Sequence, residues 1–315
     1  MTDSTFSCAR FIKEIGRGPH GARPLSRDDA HDLYSAMLDG RVSDVELGAV
    51  LIAYRLKGES PVELSGMLAA AHGTLDLLRT PEGTHRAVSI PTYNGARKQP
   101  NLTPLLALLL AREGVPVLVH GVTEDPGRVT SAEIFAELGI AAAAATEDIE
   151  SSLHASRVAF APIATLSPKL TRLLSMRRLL GVRNSTHTLV KLLQPFADPG
   201  LRLVNYTHPP YRDNLSTLFQ EHPEIGVGGA LLARGTEGEA VADTRRQVQV
   251  DWLHDGVADT LVESERRADD APPSVLPERD AVSTARWIER VVAGDEPAPP
   301  EILRQVEIIR RITAR

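Results

Sequence analysis

Between Pro91 and Asn101 the chain runs through a loop rich in turn formers, and Thr103-Pro104 then opens an apolar helix. Val88-Ser89-Ile90, just before the loop, is a short strand signal. A loop leading from a strand into a helix N-terminus suits an anion, because the first helical N–H groups are free and the helix dipole is positive there. Gly95, Arg97, Lys98, Asn101 and Thr103 all suit phosphate oxygens. The loop is neither a Walker loop nor a dinucleotide fingerprint, so an ordinary strand-to-helix connection is the competing reading. His120-Gly121 ends the next strand at the same sheet edge, as a candidate catalyst or as a hydrogen-bonded structural residue.

The strongest chemical signal is cationic. Between Thr165 and Arg212 stand Lys169, Arg172, Arg177, Arg178, Arg183, Lys191, Arg202 and Arg212 against the single acid Asp198, a balance of +7 in a chain whose net charge is −6. Between Asp255 and Glu301, twelve acids face five arginines, a balance of −7. This asymmetry places a local positive field on an acidic body. On a helix starting at Ser167, Lys169, Arg172 and Arg177 fall near one face and Leu170, Leu173, Leu174 and Leu180 on the other. Solvated helices usually mix signs. A cationic face without partner acids suits phosphates, of a small substrate or of a polymer. The competing reading is a solvated basic helix. Only Phe196, Tyr206 and Tyr211 lie near, so phosphate contact should outweigh base stacking. Residues 123–130 are placed to cover the cleft, with Arg128 turning into it. His187 either faces a phosphate or packs, and His208-Pro209-Pro210-Tyr211 reads as a rigid turn.

The elements that must position these groups follow from local signals. Ser26, Ser43 and Ser60 each stand three residues before a carboxylate, as in a capping box, and Pro61 suits a first helical turn. Gly40 and Gly58 are natural stops. Leu47, Val50, Leu51 and Tyr54 recur at helical spacing, as do Leu64, Met67, Leu68 and Ala71, so the first eighty residues form a small helical bundle. After Glu82 strands and helices alternate. Val88–Ile90, Val115–Val119 and Arg157–Ala161 are strands, with helices opening at Thr103 and after Thr130, the order of a parallel sheet with crossover helices. A basic helix runs from Ser167 to Gly181 and a second from Ser185 to Leu193. Leu201–Tyr206, Val227–Leu232 and Arg246–Val250 are further strands. Ala268–Arg279 reads as a surface loop, and helices over Val282–Ala293 and Pro300–Ile312 close the chain.

Composition bounds the rest. With 315 residues, 42% hydrophobic and 24% charged, the chain is globular and long enough for two lobes. Aromatics are 4%, so the core is aliphatic. One cysteine, Cys8, excludes an internal disulfide framework and a cysteine-based zinc cluster, and fits a reducing, cytoplasmic setting. No signal-peptide or membrane-spanning stretch is visible.

The order of segments resembles the anthranilate phosphoribosyltransferase family over nearly the whole chain. The resemblance is carried by residues 37–70, by GVPVLVHG followed by TSAEIFAELGI, and by the segment 167–199. It implies an α/β fold in which a small helical domain, residues 1–80 plus about 165–195, is hinged to a larger α/β domain, 82–164 plus 196–315, with a central mostly parallel sheet. It also implies a homodimer through the helical lobes. The family's phosphate loop, Gly-Thr-Gly-Gly-Asp, is replaced by Pro91-Thr92-Tyr93-Asn94-Gly95-Ala96. Thr92 and one glycine survive, Asn101 holds the place of an Asn that binds the diphosphate, and Thr103 replaces a Ser. The lysine before His-Gly is Val119. The acidic pair that holds magnesium falls at Ala240 and Val241, which cannot ligate a metal. Arg177 matches the arginine that contacts anthranilate.

This combination resembles a divergent branch typified by the YbiB proteins, and the resemblance implies that the fold and dimer are kept while nucleic acid is bound. The leading expectation is therefore a homodimer that binds DNA or RNA with little sequence preference through Arg97, Lys98, Lys169, Arg172, Arg177, Arg178, Arg183, Lys191 and Arg212. It uses no catalytic residue, no metal and no cofactor. The remnant donor site is Thr92, Gly95, Asn101, Thr103, His120 and Gly121. The alternative is a phosphoribosyl or glycosyl transferase that uses a phosphoribosyl diphosphate donor with magnesium and an unknown acceptor. A third reading is a structural relic whose basic helices meet a protein partner.

Overall fold

The computed structural model describes residues 6–18, 20–265 and 274–315. The expected loop Ala268–Arg279 lies outside the described residues over 268–273. The N-terminal part holds four helices: α1 (Ala9–Ile15), α2 (Arg27–Leu38), α3 (Asp44–Lys57) and α4 (Pro61–His72). Their starts are local chemistry. Ser26, Ser43 and Ser60 accept the N–H of Asp29, Glu46 and Glu63, and only Ser60–Glu63 closes the full box. At Ser43 the carboxylate of Glu46 turns instead to the Cys8 N–H, 2.9 Å away, and ties α1 to α3. Leu47, Val50, Leu51 and Tyr54 are buried as their spacing predicts, as are Leu64, Met67, Leu68 and Ala71.

The second part is a seven-stranded sheet of order β3-β2-β1-β4-β5-β6-β7. The strands are β1 (Val88–Thr92), β2 (Val117–Gly121), β3 (Val158–Pro162), β4 (Leu201–Tyr206), β5 (Ala230–Arg234), β6 (Val250–His254) and β7 (Val257–Val262). The first five pair in parallel, and β6 and β7 add antiparallel. All residues of β1 and β2 are buried, as central parallel strands require. Between them run α5 (Thr103–Arg112), α6 (Ser131–Glu137), α7 (Thr146–Ser156), α8 (Ile163–Leu166), α9 (Pro168–Leu180), α10 (Thr186–Leu189) and α11 (Pro209–Glu221). The closing helices are α12 (Ala281–Ala293) and α13 (Pro300–Thr313). Helices α9 and α10 return to the N-terminal bundle and pack on α2 and α4. None of the described helices is long and apolar enough to cross a membrane.

Four local expectations are corrected. The strand expected at Val227 begins at Ala230, because Gly228 and Gly229 both take positive φ and bring the chain against Gly200. The strand expected over Arg246–Val250 begins where that range ends and pairs as a hairpin with β7. The helix expected over Ser185–Leu193 is a single turn. His208-Pro209-Pro210-Tyr211 is the first turn of α11, where a proline needs no N–H partner.

Candidate functional site

The sheet fixes where a ligand would meet this fold. From β1 the chain builds outward to β2 and β3, then returns to place β4 on the other flank of β1. The carboxyl ends of β1 and β4 are the topological switch point, where open α/β sheets leave a crevice. The loop after β1 lines one side and the β4–α11 junction the other.

The loop after β1 folds as an anion nest, and two of the chain's own carboxylates fill it. Glu239 Oε1 accepts the N–H groups of Asn94 at 2.9 Å and Gly95 at 2.8 Å. Glu237 accepts those of Arg97 at 3.3 Å, Lys98 at 2.8 Å and Gln99 at 2.9 Å. Asn94 Nδ2 donates to the Gly238 carbonyl at 2.8 Å. Gly95 sits at φ +60°, and a Cβ there would lie 2.9 Å from the Val129 carbonyl oxygen, so the turn needs glycine. Glu237 itself takes φ +53°, a strained value for a non-glycine residue, beside Gly238 at +94°. That geometry lets successive side chains reach the same nest.

The expected donor residues point into the protein. Thr92 bonds Ser131 Oγ at 2.7 Å. Asn101 Nδ2 donates to Ser131 Oγ at 3.1 Å, and its Oδ1 accepts the Thr103 N–H at 3.2 Å. His120 is buried between Tyr93 OH at 2.8 Å and Ser89 Oγ at 3.0 Å, and burial pushes its pKa down to about 3. It is a neutral structural histidine. Gly121 is glycine because a Cβ would collide with the Thr92 carbonyl on the paired strand. Ala240 and Val241, where the resemblance places an acidic pair, are buried apolar residues of the core.

The basic face is less bare than its composition implies, because acids distant in sequence return to it. Lys169 bonds Asp39 at 2.7 Å, Arg177 lies 3.7 Å from Asp125, and Arg178 lies 3.5 Å from Glu124. Arg212, on α11, bonds Asp251 of β6 at 2.9 Å. Arg172 donates to the Met37 carbonyl and joins α9 to α2. Arg202 is fully buried beneath β4, donates to the carbonyls of Leu192, Ile225 and Val227, and stacks over Phe219. The expectation of a cationic face without compensating acid is corrected for Lys169, Arg177, Arg178 and Arg212, and Arg172 and Arg202 spend their donors on backbone carbonyls. Arg97 and Lys98 keep exposed side chains while their N–H groups hold Glu237.

What remains cationic lies in the cleft between the bundle and the sheet. Arg183, partly buried there, is held below the ordinary arginine value by burial and by Arg177, Arg128 and Arg55, with Asp125 opposing. Neighbouring His187 is pushed down to about 4 by burial and by Arg183, Arg177 and Lys191. Lys191 donates to Asn205 Oδ1 at 3.3 Å and to the Gly238 carbonyl at 3.1 Å, and burial lowers it to about 8. Arg128 does turn inward and donates to the Gly95 carbonyl at 3.1 Å. Two cavities open from this cleft and share His187. One of about 490 Å³ is bounded by Tyr93, residues 121–126 and Arg177. The other, of about 310 Å³, lies at the β4–α11 junction. Arg55, Glu237 and Glu239 were not singled out by sequence. Nothing local in the chain links them to these partners.

Comparisons with known proteins agree with this architecture. Residues 9–72 match the glycosyl transferase family helical bundle domain. The YbiB protein of Escherichia coli (strain K12) is 44% identical over 299 residues, covering 94% of this chain and 91% of that protein. An anthranilate phosphoribosyltransferase of Methanopyrus kandleri is 26% identical over 280 residues, covering 87% and 80% of the two chains. Among solved structures, the Thermus thermophilus anthranilate phosphoribosyltransferase gives a TM-score of 0.70 at 22% identity, over 96% of this chain and 94% of that one. The Saccharomyces cerevisiae enzyme in complex with PRPP and Mg also gives 0.70, at 13% identity, over 96% and 88%. At these identities the structural likeness is one of fold.

Proposed function

The chain belongs to the anthranilate phosphoribosyltransferase-like family, as a divergent member related to YbiB, and from that premise we propose that it binds nucleic acid through phosphates rather than transferring a phosphoribosyl group. The observation that carries the reading is the cationic cleft. Arg128 and Arg177 flank one carboxylate, Asp125, and Arg183 lies beside them, its pKa lowered first by burial and then by Arg177, Arg128 and Arg55. A cleft that resists further positive charge attracts a polyanion. Arg97 and Lys98 extend the field along the exposed loop. Phosphate contacts carry no base readout, so the expected preference among sequences is small.

The residues present do not fit a diphosphate donor with magnesium. The N–H groups that would hold the diphosphate are bonded to Glu237 and Glu239, and Ala240 and Val241 offer no side-chain oxygen to a metal. Magnesium needs carboxylate or phosphate oxygens in near-octahedral array. No transfer step is derived through these groups.

A homodimer fits the uncovered side of α3. Val45, Gly48, Ile52 and Leu56 repeat at helical spacing opposite the buried stripe, and Val45 and Leu56 are 84% and 82% exposed. Pairing this face with a second copy would bury it and double the phosphate contacts along one strand.

The test is fluorescence anisotropy with two unrelated single-stranded DNAs at about 50 and 200 mM salt. The expected result is similar affinity for both, a steep loss at the higher salt, and loss of binding in Arg177→Glu plus Arg183→Glu. Absence of binding at the lower salt overturns the proposal. Heat on mixing with phosphoribosyl diphosphate and magnesium would favour the transferase instead. Sedimentation of Leu56→Glu, expected to be monomeric where the parent is dimeric, tests the assembly.

A further inference from the structure

We infer that the cavity of about 310 Å³ at the β4–α11 junction is a binding site for a phosphate monoester with a hydroxyl-bearing body, of the class of a nucleoside 5′-monophosphate. The inference goes beyond the binding of a strand, because a cavity of this volume suits one small ligand and needs no groove.

The argument begins with the sheet. The crevice at the switch point has two sides, and Glu237 and Glu239 occupy only the β1 side. The β4 side stays open. Asn205 and Tyr206 stand there at the end of β4, Arg183 and Lys191 come from the segment around α10, and Arg55 and Glu59 come from the end of α3. The volume lies at the lower end of the range for small-molecule sites, roughly 300–1,000 Å³.

The polar groups are incompletely satisfied. An ammonium has three donors, and Lys191 spends its bonds on two neutral oxygens, Asn205 Oδ1 and the Gly238 carbonyl, with the Glu239 carboxylate close enough to favour its charge. Asn205 is 6% exposed and its Nδ2 has no hydrogen-bond partner. Arg183 lies among other cations. Three cations around one cavity call for a dianion, which a phosphate monoester carries and a single carboxylate does not. Glu59 is the acid on the wall, and burial disfavours its charge. A hydroxyl on the ligand body would satisfy it, and so give the site a polarity: phosphate toward Lys191, hydroxyl toward Glu59. Tyr206 and Tyr211 supply flat apolar surface beside them.

Adenosine 5′-monophosphate and adenosine are the probes, by isothermal calorimetry on the full chain. The monophosphate should give a saturable heat and adenosine none. Lys191→Gln should weaken the monophosphate about tenfold or more, the loss expected from one charge-assisted hydrogen bond. Arg55→Gln, at an exposed position that does not support the fold, should weaken it in the same direction. Absence of heat with the parent protein overturns the inference. So does unchanged affinity in Arg55→Gln together with unchanged affinity in a Lys191→Gln protein that melts normally. Competition separates two sources of the same chemistry. Displacement by a 5′-phosphorylated strand but not its 5′-hydroxyl twin identifies a strand end. Equal displacement, or none, leaves the free monoester as the occupant. Failure of strand binding in the cleft does not touch the adenosine monophosphate result, so the two proposals fail separately.

Discussion

Glu239 places its carboxylate Oε1 2.9 Å from the Asn94 backbone nitrogen, joining residues 145 apart in sequence across the switch point of the sheet. The same oxygen takes the Gly95 N–H, and Glu237 takes three more from the loop. Both Asn94 and Gly95 are buried. Glu239→Ala would leave two buried N–H groups without acceptors. At about 1–3 kcal/mol for each, the expected loss of stability is roughly 2–6 kcal/mol, read as a lower urea midpoint with unchanged slope. A midpoint that stays put would mean that the loop finds other acceptors at no cost.

The same geometry makes the two carboxylates internal substitutes for an anion. Glu237→Ala plus Glu239→Ala should free up to five N–H groups converging on the nest. Inorganic pyrophosphate should then raise the melting temperature of the double variant and leave that of the parent protein nearly unchanged. Equal shifts in both proteins would place pyrophosphate elsewhere, and no shift in the variant would mean that the nest collapses once emptied.

Much of the fold is legible in the sequence because its signals are local. A serine three residues before a carboxylate locates α2, α3 and α4, Ser167 and Gly181 bracket α9, and aliphatic runs locate β1 and β4. The hairpin of β6 and β7 is hard to read because Asp251 and His254 interrupt β6 and Asp259 interrupts β7, the edge strand, which removes the aliphatic run. The site is legible only in part. Arg177, Arg183 and Lys191 do meet in one cleft. But a list of cations cannot show that Asp39 returns to Lys169, or Asp251 to Arg212, since those pairs are made by the fold and not by spacing. Nothing local in the sequence sets Glu237 and Glu239 apart, and their partners can be found only in three dimensions.

The difference between paired and crowded cations separates two sets of substitutions. Lys169→Glu plus Arg172→Glu removes the Asp39 ion pair and the bond to the Met37 carbonyl that join α9 to α2. Exposed pairs like the first are worth about 0–1 kcal/mol. The expected outcome is a lower melting temperature with DNA affinity reduced less than in Arg177→Glu plus Arg183→Glu. If the first pair abolishes binding at unchanged melting temperature, the phosphate path runs over α9 itself and not through the cleft.

Lys191 gives the cleft a pH dependence above neutrality. Burial lowers it to about 8, so it is charged at pH 7 and loses its proton as pH rises through 8. Affinity for single-stranded DNA should fall between pH 7 and 9. If Lys191 contacts a phosphate, the salt dependence should also flatten by about 0.7 in log–log slope, the share of one contact. Lys191→Arg keeps its charge throughout and should remove this pH dependence. A parent protein whose binding is level from pH 7 to 9 would place Lys191 outside the path of the strand.

On the acid side the fold itself should weaken, and the sign follows from neutral buried imidazoles. His120 is held at about 3, and His72 and His187 at about 4, each chiefly by burial. Above about pH 6.5 these groups are neutral in both folded and unfolded chains and contribute no slope. Below it the unfolded chain takes up protons that the folded chain refuses, so stability falls with falling pH until the folded values are reached. His120, 1% exposed, alone contributes about 1.4 kcal/mol per pH unit across that window. Urea midpoints measured from pH 7 to pH 5 should therefore decline. His120→Gln, which keeps a side chain able to meet Tyr93 and Ser89, should start lower at pH 7 and decline less steeply. An identical slope in parent and variant would mean that His120 takes up its proton inside the folded sheet, and that the hydrogen bonds to Tyr93 and Ser89 do not hold it neutral.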